Sequence, residues 1–225
     1  MSISVVSLFA RANDLLQDLT NIRWTQDELL RWLNDGQREI VLHRPEASTT
    51  NAAMVLASGT KQSLPTLGVR LIDVVRNMGS NGITPGRAIR LVQREVLDAQ
   101  MPDWHSATPS TTVKHFAFDE RNPRNFYVYP PVPTGVTVYV EAIYSASPTD
   151  CTVGGNFNLD DIYSNAILDY ILYRAYSKDA EYAANAQRAV AYYQVFTAAL
   201  GIKQAADTSS SPNTNDLNAA NRNTR

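Results

Sequence analysis

"LDYILYRAYSKDAEYAANAQRAVAYYQVFTAALG", residues 168–201, contains Tyr170, Tyr173, Tyr176, Tyr182, Tyr192 and Tyr193, and Tyr163 lies just upstream, so seven of the chain's 11 tyrosines crowd into one region. Leu159, Tyr163, Ala166, Tyr170 and Tyr173 recur at intervals of three and four, the period of one face of a helix. After the polar break SKD, Tyr182, Ala186, Ala189, Tyr193, Phe196 and Leu200 make a second such face, and Gly201 reads as its stop. The stretch therefore predicts an antiparallel helical hairpin with rings set against alanines. Asn158 is the expected N-cap of the first helix, with Asp161 in its first turn and Phe157 stapled onto Ile162. Two helices cannot bury seven amphipathic rings with every hydroxyl bonded. Tyr170, Tyr193 and Phe196 are expected inside, and Tyr173, Tyr176, Tyr182 and Tyr192 at an interface between subunits.

Working outward, the amino-terminal part repeats the helical pattern. Between Ile3 and Leu19, the residues Val5, Leu8, Ala12, Leu15, Leu16 and Leu19 share one side of a helix. In TQDE, Thr25 and Glu28 have the spacing of a capping box. The helix it opens has Leu29, Trp32, Leu33, Gly36, Ile40 and Val41 as its buried stripe. His43 and Arg44 fall in the last turn, where positive charge suits the helix dipole, and Pro45 ends it.

From Asn51 to Pro148 the period changes to short apolar runs between turn signals: MVLAS, KQSLP, LIDVV, AIRLV, VKHFAF, FYVY and VTVYVEAIY, punctuated by MGSNG, TPGR, NPRN and PPVPTG. An antiparallel sheet or small sandwich is expected. Val136, Val138, Val140 and Ala142 alternate with Thr137, Tyr139 and Glu141, the period of a strand with one buried face. Between Arg90 and Trp104 the pattern predicts strand to about Gln93 and then a short helix ending before Pro102. The prolines of YPPVP cannot donate to a ladder and so mark an edge or a connection, and the last three runs read as a meander.

The fold class is thus α+β: an antiparallel helical bundle from amino- and carboxyl-terminal helix pairs (1–50 and 151–203) around a β-rich insertion (51–150), followed by a polar tail (204–225). That tail, QAADTSSSPNTNDLNAANRNTR, has Leu217 as its one large apolar residue. Ordering costs on the order of 1–2 kcal/mol per residue, so the tail needs a partner to order it.

Composition excludes several function classes. A 225-residue chain with 44% hydrophobic residues buries a substantial core. A formal net charge of −2 provides no field to hold nucleic acid. The single cysteine, Cys151, rules out an intrachain disulfide or thiolate zinc site, and suits synthesis in a reducing cytoplasm. No segment approaches the roughly 20 apolar residues of a membrane span, and the amino terminus has no basic leader, so a soluble protein is expected.

Chemistry is equally sparse. His43, His105 and His115 belong to three different expected elements and lack metal-ligand spacing. Asp103, His105 and Ser106 could be assembled into a triad, but adjacent residues rarely converge on one reacting atom and no nucleophile elbow is present; a loop pinned by Trp104 is the simpler reading. Asp160 and Asp161 point about 100° apart on a helix, so they serve capping rather than a shared proton. Cys151 reads as an exposed or half-buried bystander. GSNG and VGG read as turns, without the Lys-Ser/Thr of a phosphate cradle. A tetratricopeptide solenoid would need about three stacked copies of a roughly 34-residue repeat, and only one helix pair is found.

Helix pair, β-rich insertion, helix pair and polar tail, in that order, resemble the head-to-tail adaptor (connector) proteins of tailed bacteriophages, particularly those of short-tailed phages. The residues that carry the resemblance are WTQDELLRWLNDGQREIVLHRPEA (24–47), FDERNPRNFYVYPPVP (118–133) and LDDIYSNAILDYILYRAYSKDAEY with NAQRAVAYYQVF (159–182 and 185–196), over roughly residues 1–200. The resemblance implies a non-enzymatic virion protein at the head-tail junction that forms a ring, usually of twelve copies. It also implies portal and tail (nozzle or tube) proteins as partners, DNA passing through without sequence-specific binding, and no cofactor. Residues 204–225 would then reach along the portal or a neighbouring subunit, with Leu217, Arg222 and Arg225 as contacts; at about 3.3 to 3.6 Å per residue they could span roughly 70 Å.

Two other readings stay open. A tail-associated wall-degrading hydrolase would need a carboxylate pair about 5 to 9.5 Å apart across a cleft. A tail completion or terminator protein would form hexameric rather than twelvefold rings.

Overall fold

The computed structural model describes residues 3–182 and 184–210. The chain folds into two compact units: a helical unit, Met1–Arg44 with Thr149–Arg225, and a β unit, Pro45–Pro148.

In the helical unit, α1 (Val5–Leu16) is capped by Ser4, whose hydroxyl accepts the Ser7 N–H. Val5, Leu8, Phe9, Ala12 and Leu16 are buried, but Leu15 and Leu19, expected on the same stripe, are exposed. Leu15 lies at the margin of the buried stripe, in the last turn of α1, and the helical period stops before Leu19 because Gln17 takes a left-handed conformation. The turn that follows is organised by Asp18, whose carboxylate accepts the backbone N–H groups of Ile22, Arg23 and Trp24 at 3.0, 2.9 and 3.0 Å. These bonds hold its pKa below the ordinary aspartate range.

Helix α2 (Gln26–His43) begins at the expected capping box, with both the Thr25 and the Glu28 bonds formed. All six residues of its expected stripe are buried. Gly36 sits where an added Cβ would lie 2.6 Å from Ile167 Cδ1 and 2.8 Å from Tyr170 Cδ1, so α2 and α4 (Ser164–Lys178) approach closely there. Helix α4 packs on α1, α2 and α5 (Asn185–Ser210).

Three local expectations need correction. Asn158 does not cap α4: its amide donates to Thr149, and Asp160 caps a short 3-10 turn, Asp161–Tyr163, that leads into the helix. Phe157 is buried while Ile162 is 58% exposed, so no staple joins them. Gly201 does not end α5, which continues to Ser210. A Cβ on Gly201 would meet nothing within 4 Å, and beyond it Lys203 bonds Asp207 one turn on, giving the helix local support. Residues 204–210 are therefore helical.

The β unit holds β1 (Thr49–Val55), β2 (Gly59–Ser63), β3 (Gly68–Asn77), β4 (Arg90–Leu91), α3 (Arg94–Gln100), β5 (His115–Phe118), β6 (Asn125–Val132) and β7 (Tyr139–Ala146). One sheet has the order β1-β7-β3 and the other β2-β6-β5-β4. Met54, Leu71, Val74, Val140 and Ala142 of the first share one apolar core with Phe116, Phe126, Val128 and Val132 of the second. The pairing is antiparallel except between β4 and β5, which run parallel.

The last three strands are not a meander. β5 and β6 form an antiparallel pair, but the chain then crosses to the other sheet, where β7 lies between β1 and β3. Pro130 and Pro131 lie inside β6, an interior strand, rather than at an edge; the Tyr129–Pro130 peptide is cis. The missing N–H groups are tolerated because the β2 register shifts between Gly59 and Lys61, opposite this segment, and pairing with β5 ends at His115↔Tyr129. Val140 and Ala142 of β7, and Val138 just before it, are buried as expected, but Val136, further upstream, is exposed.

Candidate assembly interface

The tyrosine region folds into a ladder of rings along the α4–α5 seam. Tyr170 meets Phe196 at a centroid distance of 5.3 Å, Tyr173 meets Tyr193 at 4.9 Å, and Tyr176 stacks on Tyr192 at 5.6 Å with planes 7° apart. Residue numbers rise on α4 as they fall on α5, the signature of the antiparallel hairpin. Tyr170 and Phe196 are buried; Tyr173, Tyr176, Tyr192 and Tyr193 are half-buried. Burial pushes the Tyr170, Tyr192 and Tyr193 hydroxyls above the ordinary tyrosine range.

Two sequence expectations are adjusted. Tyr193 is not fully inside: its hydroxyl donates to Glu39 Oε1 at 3.4 Å, which draws it to the rim. Tyr182 precedes α5 rather than joining its stripe, is 63% exposed, and lies under the Arg23 guanidinium at 5.1 Å. Arg23 is in turn fixed by Asp179, with its Nε donating at 2.6 Å. The Arg188 guanidinium lies 5.6 Å from the Tyr176 ring.

The carboxyl-terminal part of α5 is tied to the end of α2. The Arg44 side chain is 3% exposed and donates to the Leu200 carbonyl at 3.2 Å and to Asp207 at 2.9 Å. Lys203 and Arg44 together hold the Asp207 carboxyl below its ordinary range. Leu217, Arg222 and Arg225 lie outside the described residues.

Sequence reasoning missed a buried polar clasp. Asn34 and Gln37, on the α2 face that also carries Leu33 and Gly36, hold the loop that returns from the β unit. Asn34 Oδ1 accepts the Cys151 N–H at 2.8 Å, while Gln37 Oε1 accepts the Asn158 N–H at 3.2 Å and the Cys151 thiol at 3.5 Å. Cys151 is thus buried rather than exposed, and burial pushes its thiol up. Polar residues inside an otherwise apolar stripe were the available signal.

The remaining candidates stay apart. His43 lies edge-on to Phe196, His105 stacks on Trp104 and pairs with the Thr60 hydroxyl at 2.8 Å, and His115 stacks on Tyr129. Trp104 is fully buried and donates to Asp98, so the loop is pinned as expected. Ser106 Oγ donates to the Asp103 carbonyl, and His105 faces Thr60 instead of Ser106. A cleft of about 320 Å³ in the β unit is bordered by Glu95, Asp119, Glu120 and Arg121. Arg121 holds Asp119 below the ordinary range, a poor general acid. Among the described residues the carboxyl pushed up is Asp169, on α4 and not in that cleft.

Residues 3–216 match the family described as SU10 adaptor protein. The chain belongs to the SU10 adaptor family. No curated protein matches it. The adaptor's family agrees with the resemblance drawn from its helix faces and turns, and assigns it a structural role as a phage head-to-tail adaptor. The match spans both units and the whole of α5. No described helix of the adaptor is long and apolar enough to cross a membrane.

Proposed function

We propose that the adaptor assembles into a ring, of twelve copies by analogy with related connectors, that joins the portal vertex to tail proteins and surrounds the passage for DNA. The observation that carries this reading is the tyrosine ladder, with one rung buried and two half-buried. Tyr173, Tyr176 and Tyr192 are too exposed to serve only a monomer core, yet are held in ring-on-ring contacts that cost little further entropy to bury. With Tyr182 they form the proposed subunit interface.

In this reading the helical unit forms the ring, the β unit projects toward the tail, and Leu217, Arg222 and Arg225 contact portal or a neighbouring subunit. A chain of net charge −2 neutralises few phosphates and releases few counterions, so it supports a passage that DNA crosses without sticking. Synthesis in the host cytoplasm suits the single, buried thiol.

The test is to mix the purified adaptor with the portal of the same phage and follow it by light scattering and electron microscopy. Rings bound to portal are expected. Absence of both ring and portal binding overturns the proposal, and hexameric rings favour a tail terminator instead.

A further inference from the structure

The outer side of α5 is a second apolar stripe. Ala191, Val195, Ala198, Ile202 and Ala205 follow one another at intervals of four and three, opposite the buried Ala189, Phe196 and Leu200, and all five are exposed. Val195 is 52% and Ile202 71% exposed. A helix that is apolar on two opposite sides is expected to be covered on both.

The same unit has an apolar groove elsewhere. Val6, Phe9, Ala10, Asn13, Asp14 and Leu19 border a groove of about 260 Å³ beside α1. Val6 is 57% and Leu19 72% exposed, and the Asp18-anchored turn holds Leu19 in place. Asn13 is 7% exposed; its Nδ2 donates to Asn21, while its Oδ1 has no partner.

We infer that in the assembled adaptor this α1 groove receives the outer face of α5 from a second copy. The inference rests on the ring proposed above and adds to the proposed tyrosine interface a further contact between its subunits. Groove and stripe cannot cover each other within one chain: α4 packs on α1 and on α5, and no comparable packing joins α1 to α5 among the described residues. Their chemistry is complementary. Asp14 is the charged residue of the groove, and Arg188, three residues before Ala191 and one heptad before Val195, carries the opposite charge at the start of the stripe. Alanines on the stripe let a helix approach closely, and Val195 and Ile202 supply the side chains that fill the groove. Because the two patches differ, the contact is heterologous, the head-to-tail kind from which a ring, rather than an isolated pair, is built.

Two single variants at exposed positions, Leu19→Cys and Ala198→Cys, test it in the full-length chain, where the native thiol is buried. Each is oxidised alone and as a mixture, free and after addition of portal, with one variant tagged to separate the products by mass. A disulfide-linked pair containing one copy of each is expected in the mixture, with neither variant linking to itself. Adding Val195→Asp to the Ala198→Cys chain should abolish the link without changing the circular dichroism spectrum. Rings that form with no mixed link, or with self-links only, overturn this contact while leaving the ring intact. A chain that binds portal as a monomer overturns the ring and this contact together.

Discussion

Gly36 on α2 lies directly against the ring of Tyr170 on α4, so that a methyl group there would fall 2.8 Å from Tyr170 Cδ1. Gly36→Ala should gain up to about 1 kcal/mol of helix propensity but lose more to overpacking, typically about 1–3 kcal/mol. The ring and Ile167 would have to shift together. A lower urea midpoint at unchanged slope is expected; a rise would mean that α2 and α4 sit further apart.

Gly201 predicts the opposite sign. It is inside α5 with open space around its Cα, so Gly201→Ala should stabilise the helix by about 0.5–1 kcal/mol. Thermal melting and helical ellipticity both report it. If the helix ended at this glycine in solution, the substitution would leave ellipticity unchanged or reduce stability.

Glu28 belongs to the α2 capping box and also accepts from Lys178 Nζ at 2.7 Å, a bond that places its pKa below the ordinary glutamate value. A group depressed in the folded state stabilises it above the unfolded pKa and loses that contribution as pH falls through the folded one. Stability should therefore drop on acidification below the ordinary glutamate range. Glu28→Gln should lower stability at neutral pH and flatten this acid limb, as read from urea midpoints across pH.

Cys151 has a thiol raised by burial, so the folded chain keeps its proton to higher pH than the unfolded chain does. Its contribution is complete below the ordinary cysteine value and is lost as pH rises through the folded one. The thiol should resist an aromatic disulfide reagent in the native state and react at once in denaturant. Rapid native reaction would show that the Asn34–Gln37 clasp opens easily.

Tyr176 and Tyr192 stack, half-buried, at one end of the ladder, whereas Tyr170 is buried at the other. Tyr170→Ala should cost about 3–5 kcal/mol, in the range of large aromatic deletions from a core. Tyr192→Ala should cost well under half of that yet weaken self-association, measured by sedimentation in the presence of portal. Equal losses of stability with intact assembly would remove the ladder from the interface.

Local chemistry made much of the fold legible in the sequence. The Thr25–Glu28 capping box, the six-residue stripe of α2 and nearly every strand of the β unit were readable, because caps, turn residues and apolar periods act within a few residues of chain. Errors arose where distant partners decide. Gly201 reads as a stop, but a glycine with open space and a helix tied down by Arg44 and Asp207 continues. Pro130 and Pro131 read as an edge, yet a register shift in β2 lets them into an interior strand. Cys151 reads as a bystander because nothing nearby in sequence shows that Asn34 and Gln37, more than 100 residues away, reach it.

The candidate interface divides the same way. The sequence by itself determined that too many amphipathic rings were gathered on two helices for one core, and its order of helix faces and turns resembled the family to which the chain belongs. Only the tertiary structure decided which rings lie inside, that Tyr193 reaches out to Glu39, and that α5 has a second, uncovered stripe. Periodicity shows that a side of a helix is apolar, but whether that side is covered depends on where the other helices pack, and packing is set by contacts far apart in the chain.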